Sequence, residues 1–222
     1  MQYILRHPPN SKRLSLKVEY PNQVIISAPK RFPKKIINRF VEDHQDWITA
    51  QIKKITAQHQ QVETDDQIMI FGKMYQKSQN YINNQEQGIF ILQDQLLINF
   101  PDSAIKKIIK KEIKLFLKAT ARTYLYQRTP TLAKNLKLSY SSLTLREQKS
   151  RWGSCSSKNS INLNWRLVHY PPAVIDYVII HELAHLVHHN HSKSFWLLVA
   201  KHDPEYKEHR TYLKKYGVTL FE

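Results

Sequence analysis

The segment His181-Glu182-Leu183-Ala184-His185 sets two imidazoles four residues apart, with a carboxylate beside the first. On a helix that spacing projects both rings from one face on successive turns, where they can hold one ion. Glu182 can then reach a water at the ion without becoming a ligand itself. A chain with 11 His and 10 Glu among 222 residues contains this pattern by chance roughly 0.02 times. Val174, Ile175, Val178, Ile179, Ile180, Leu183 and Leu186 surround the same axis almost completely, which predicts a buried helix. Two histidines and a glutamate buried there need partners, because unpaired polar groups in an apolar setting are costly.

His188, His189 and His191 are the candidates for a third ligand. His188 shares the face of the first two, but seven residues of continuous helix rise about 10.5 Å. One ion with ligand bonds of about 2 Å cannot be gripped from both ends of that span. Asn190 tolerates the left-handed backbone that ends helices, and Ser192 can cap a new helix carrying Phe195, Trp196, Leu197, Val199 and Ala200. The chain is therefore expected to turn back and deliver His191. His188 and His189 are left around the ligands, exposed or beside a substrate carbonyl. Three nitrogen ligands leave a position open to water, which marks a catalytic zinc site rather than a closed structural one. The expected chemistry is hydrolysis of a peptide bond. Zn2+ is held by His181, His185 and His191, and Glu182 is the general base that later protonates the leaving amine.

Several elements must position these residues. Pro172 suits a first helical turn, and Asp176 close behind it complements the helix dipole. Upstream, Leu143 and Leu145 alternate with polar residues. Arg151-Trp152-Gly153-Ser154-Cys155 then leads through a turn into a return strand with Ile161, Leu163, Trp165 and Leu167 on one face. This hairpin is expected to run directly into the motif helix. Arg151, Asn162 and Asn164 are its candidate substrate contacts, by addition of a substrate strand to an edge. Alternatively Trp152 and Cys155 are core and Gly153 a bulge. Tyr177, one turn before His181, is a candidate neighbour of the metal. Cys155 is not expected to be nucleophile or ligand, since three histidines suffice.

Nearer the start, alternating residues around Tyr20-Pro21-Asn22-Gln23 predict a hairpin, and Pro33 opens a helix over about residues 33–58. Short strands are expected at 68–70, 74–77, 89–92 and 96–100. A helix starting near Pro101 carries Ile105, Ile108, Ile109, Ile113, Phe116, Leu117, Ala121, Tyr124 and Leu125 on one stripe. Lys106, Lys107, Lys110, Lys111, Lys114 and Lys118 fall on the other. Glu112 lies within or at the edge of the apolar stripe. A domain boundary is placed near residue 101, giving a β-rich region with one helix over 1–100 and a catalytic domain over 101–222.

The chain carries 34 Lys and Arg against 18 Asp and Glu, a formal charge of +16. Such an excess favours a polyanionic partner such as DNA, reached through the lysine face, although a charged helix face is also an ordinary solvated surface. One cysteine excludes an internal disulfide framework or a multi-cysteine zinc cluster. No apolar signal core precedes Pro8, and no apolar run spans a bilayer, so a cytoplasmic protein is expected.

Arg151-Trp152-Gly153-Ser154-Cys155-Ser156, Ile161 to Leu167, Pro171-Pro172 with Ile175-Asp176-Tyr177-Val178, the His181 motif, Asn190-His191-Ser192 and Phe195-Trp196 together resemble the YgjP-like metallopeptidases. These are relatives of the SprT-like and WLM zincins. The resemblance implies an α+β fold with a zincin-like core, an antiparallel sheet packed on the motif helix. It implies the same roles for His181, Glu182, His185 and His191, and a protein or peptide substrate. Some SprT-like and WLM relatives cleave proteins crosslinked to DNA, which would suit the charge, but that is analogy at the level of fold. The alternative from another class is a nucleic-acid-binding module whose zinc is structural or vestigial.

Overall fold

A computed structural model describes residues 2–9, 11, 13–19, 22–60, 64, 66–79, 81, 86–101, 106–148 and 151–216. They fall into two compact units, Met1–Gln61 and Val62–Val218. Among the described residues no helix is long and apolar enough to cross a membrane.

In the first unit, β2 (Ser15–Glu19) and β3 (Gln23–Ser27) form the expected hairpin, and β1 (Ile4–Arg6) adds to β3 in parallel. Tyr20 and Pro21 of the expected turn lie outside the described residues. The helix expected over 33–58 is two helices, α1 (Lys34–Asp43) and α2 (Gln45–Gln60), broken at His44. The His44 ring approaches the Phe40 carbonyl at 2.8 Å, a local bond that competes with helix continuation. Val18, Val24, Ile26, Ile37, Val41, Ile48 and Ile55 make the core. Ile36 and Trp47, expected on the buried stripe, are exposed, while Ile37, Val41 and Ile48 are buried.

The second unit begins with β4 (Gln67–Ile70), β5 (Lys73–Gln79), β6 (Gly88–Leu92) and β7 (Gln95–Asn99), at the expected places, in the order β4-β5-β7-β6. Helix α3 (Lys106–Leu136) follows, and Ile109, Ile113, Leu117, Ala121 and Leu125 form its buried stripe. Ile108, expected on that stripe, is exposed, and Ile105 lies outside the described residues. Pro130 removes one backbone donor, yet the helix continues because Leu132, Ala133 and Leu136 stay buried beyond it.

A three-stranded sheet then forms in the order β8-β10-β9 from β8 (Ser142–Arg146), β9 (Gly153–Cys155) and β10 (Ser160–Asn164). It packs on α4 (Pro172–Ala184), the motif helix. The fold is α+β as expected, with one correction: the sheet is mixed, since β8 runs parallel to β10 and only β9 is antiparallel to it. The return strand also stops at Asn164. Trp165–His169 is a 3-10 helix, started by the Asn164 side chain accepting from the Arg166 amide. Trp165, Arg166, Leu167, Val168 and His169 are therefore all buried, where a strand would have exposed every second one. Helices α5 (Lys193–His202) and α6 (Tyr206–Tyr216) complete the unit.

Candidate metal centre

Helix α4 starts at Pro172, whose missing amide costs nothing at a helix start. Val174, Ile175, Tyr177, Val178, Ile179, Ile180, Leu183 and Ala184 are buried around the axis. Asp176 does not sit in the first turn. It takes a two-pronged ion pair from Arg128 of α3, at 2.8 and 2.6 Å, which fixes the motif helix against α3.

The helix ends at Ala184, earlier than a continuous helix through His188 would require. His185 is its C-cap, and the Val187 and His188 amides both close onto the Ala184 carbonyl. His188 therefore lies off the helix, and its backbone carbonyl meets His185 Nδ1 at 3.0 Å. A carbonyl only accepts, so Nδ1 carries the proton and Nε2 keeps its lone pair for a metal. This orienting role belongs to the backbone, and no residue pattern announces it.

The chain then reverses as expected. Asn190 Oδ1 accepts from the Ser192 amide, and Ser192 Oγ caps α5 by accepting from the Phe195 amide. His191 is carried back so that its Nε2 lies 3.1 Å from that of His181. Each of His181, His185 and His191 offers a nitrogen within 4.8 Å of the others. Tetrahedral bonds of about 2.0–2.1 Å separate ligand nitrogens by roughly 3.4 Å, so this donor set fits one small ion. Phe195, fully buried, touches all three imidazoles, with ring centroids at 4.9, 4.6 and 4.8 Å. Trp196 stacks on His191, and the Tyr177 ring meets His181 edge-on. This aromatic bed was readable in the sequence only as core.

Burial, then the neighbouring His185 and His191, then Arg210, hold His181 neutral down to about 3. Burial lowers His185 likewise. Metal ligation requires neutral imidazole, so the environment favours the binding form. Glu182 is buried, and burial pushes its carboxyl up to about 8 against the opposing charge of Arg151.

Gly153 explains how the sheet reaches this carboxylate. A Cβ there would lie 2.6 Å from Glu182 Cγ and 2.7 Å from Oε1, so only glycine lets β9 pass over the acid. β9 is an edge strand of its sheet among the described residues, and Trp152, Gly153 and Cys155 are each half-buried. Asn164 is buried and its amide donates to the Gln148 and Arg151 carbonyls, pinning the segment that precedes β9. Asn162 accepts from Arg146 and donates to Ser154. Arg151 is exposed. Burial, then the Glu182 charge, raises the Cys155 thiol, which keeps it un-ionised and unsuited to ligation.

An α+β unit that gathers three imidazoles beside a buried carboxylate has the donor set that the centre of a metallopeptidase would need. The model of the YgjP-like metallopeptidase domain matches residues 12–216. The chain belongs to the YgjP-like metallopeptidase family. Among solved structures it is similar to the metallopeptidase zymogen abylysin of Pyrococcus abyssi, with 26% identity over 41% of this chain and 93% of that one and a TM-score of 0.38. It is also similar to the metallopeptidase zymogen jannalysin of Methanocaldococcus jannaschii, at 20% identity over 41% and 94%, with a TM-score of 0.38. No curated protein matches the chain.

Proposed function

We propose that the protein is a zinc peptidase in which His181, His185 and His191 hold the metal and Glu182 is the general base. The observation that carries this reading is the convergence of the three imidazoles beside the buried Glu182 carboxylate. Three neutral nitrogen donors suit zinc better than the hard, oxygen-preferring cations. When bound there, zinc supplies Lewis-acid polarisation and acidifies water. With a metal's charge offsetting the burial that raises its pKa, the Glu182 carboxylate takes the proton from the attacking water and passes it to the departing amine, while β9 covers its buried side. Arg151 and Asn162 contact the substrate strand as it lies along β9. Asn164 acts through the segment it pins.

Purified protein loaded with zinc should cleave casein or a quenched peptide, and Glu182→Gln should lower turnover by roughly 10²- to 10⁴-fold. Zinc content should not change. Full turnover in Glu182→Gln would overturn the mechanism.

DNA-associated proteins are the substrates we favour, and one observation separates the lysines that bear on this. Lys114 and Lys118 pair with Glu147, each at 2.6 Å, whereas no carboxylate pairs with Lys106, Lys107, Lys110 or Lys111 among the described residues. Those four are exposed and free to follow phosphates. The competing reading, a nucleic-acid-binding module with a vestigial zinc site, predicts DNA binding without any Glu182-dependent cleavage.

A further inference from the structure

The hydrolysis proposed above places negative charge on the oxygen of the attacked carbonyl, where a well-placed donor accelerates most. Two cations act on this centre among the described residues. Arg151 acts on Glu182, while Arg210 of α6 acts on His181 and Tyr177 of α4. Arg210 has a built position. Its guanidinium carbon lies 4.8 Å over the Trp196 indole. The same indole stacks on His191 at 5.6 Å and meets His181 at 5.8 Å. Tyr206, one turn before Arg210, stacks on Trp196 at 5.3 Å and steadies the arrangement. Of the carboxylates nearby, Asp203 Oδ2 lies 2.9 Å from His209 Nδ1, and the exposed Glu205 stands 3.9 Å from the other ring nitrogen. Arg210 thus has no acidic partner among the described residues, and it is exposed. An arginine parked on an aromatic face keeps its in-plane N–H groups available.

We infer that Arg210 is a catalytic residue of this centre, its guanidinium donating hydrogen bonds to the carbonyl oxygen of the scissile peptide as that oxygen gains charge. This rests on the peptidase reading. It assigns Arg210 to the oxygen side of the reacting carbonyl and leaves Arg151 to the base. A donor already in place needs no reorganisation when the charge appears, which is where such groups accelerate most.

The test uses full-length zinc-loaded protein as wild type, Arg210→Gln, Arg210→Lys, Arg210→Ala and Glu182→Gln. Arg210→Gln should lower kcat by roughly 10²- to 10³-fold, with KM, zinc stoichiometry and thermal midpoint little changed. Arg210→Lys should recover only part of the loss, and millimolar guanidinium should partly restore Arg210→Ala. A second readout is affinity for a phosphonate peptide, whose tetrahedral oxyanion mimics the charged oxygen; Arg210→Gln should weaken it in parallel with kcat. Turnover within about threefold of wild type, loss of zinc in step with activity, or unchanged phosphonate affinity would each overturn the inference. Failure of the peptidase reading looks different: Glu182→Gln stays as active as wild type, and the phosphonate still reports on Arg210.

Discussion

Helices α3 and α4 pack together in the second unit and treat polar residues in opposite ways. On α4 nearly every side chain is buried, so each polar group is expensive and each is committed. Asp176 holds Arg128, the histidines converge, and Glu182 lies beneath β9. On α3 a narrow stripe is buried and charge elsewhere costs little, so six lysines accumulate, of which Lys114 and Lys118 alone converge on a carboxylate, Glu147, among the described residues. A polar residue identifies chemistry where its presence is costly. Where it is cheap, only a specific partner distinguishes one lysine from the next.

The largest effect is expected at the ligands. His191→Ala should weaken zinc binding more than 100-fold, since even the outer partners that orient ligands account for about 10- to 100-fold. Metal analysis after dialysis against a graded chelator measures it. His188→Ala should stay within about tenfold of wild type, because only the backbone carbonyl of His188 is used. If His188→Ala emptied the site and His191→Ala did not, the ligand assignment would be wrong.

Gly153→Ala comes next. The new Cβ would press on Glu182 Cγ, Oε1 and Cδ within 2.6–2.8 Å, inside a buried setting that cannot yield freely. Urea unfolding should show a loss of about 1–3 kcal/mol, as for other overpacked interiors, and kcat should fall as Glu182 is displaced. Wild-type stability and turnover together would show that β9 does not cover the acid.

These two cases mark what the sequence discloses. His181, Glu182 and His185 were legible because spacing and apolar flanks suffice to place them. His191 was legible because Asn190 and Ser192 carry local turn and cap chemistry, which the structure uses as expected. Setting His188 aside by helical rise presupposes a continuous helix, however, and α4 ends at Ala184. His188 is set aside for another reason: the chain has already left the helix axis. The parallel β8–β10 pairing, the 3-10 helix after Asn164 and the contact of Gly153 with Glu182 were illegible, because each depends on residues distant in sequence or on space rather than pattern. Asn164 read as a substrate contact by its position on a strand; its buried amide is instead bonded to the Gln148 and Arg151 carbonyls.

On α3 the effects should be smaller and divided. Replacing Lys106, Lys107, Lys110 and Lys111 together with Gln should change stability by no more than about 0.5 kcal/mol per site, because no carboxylate pairs with them among the described residues. It should also flatten the salt dependence of DNA affinity, with a slope reduced by up to about 0.9 for each phosphate no longer neutralised. An unchanged slope in a filter-binding titration would remove this face from any nucleic-acid role.

The finest test concerns Glu147, the carboxylate on which two lysines of α3 and the buried Arg166 converge. Partial burial alone would raise its carboxyl, but hydrogen bonds from Lys114 and Lys118, with the charges of Lys114 and Arg166, outweigh burial and hold it at about 2. Its folded pKa is thus below the unfolded value of 4.5. The stability it contributes is complete above the unfolded value and is lost as pH falls from there through about 2. The gap in thermal midpoint between wild type and Glu147→Gln should therefore be widest near neutrality and close across that window. High salt should narrow it as well, since Lys114 is half exposed and Glu147 about a third. A gap that persists unchanged at pH values near 2 would mean that Glu147 acts through packing rather than charge, and that the lysines beside it are as uncommitted as the rest of their face.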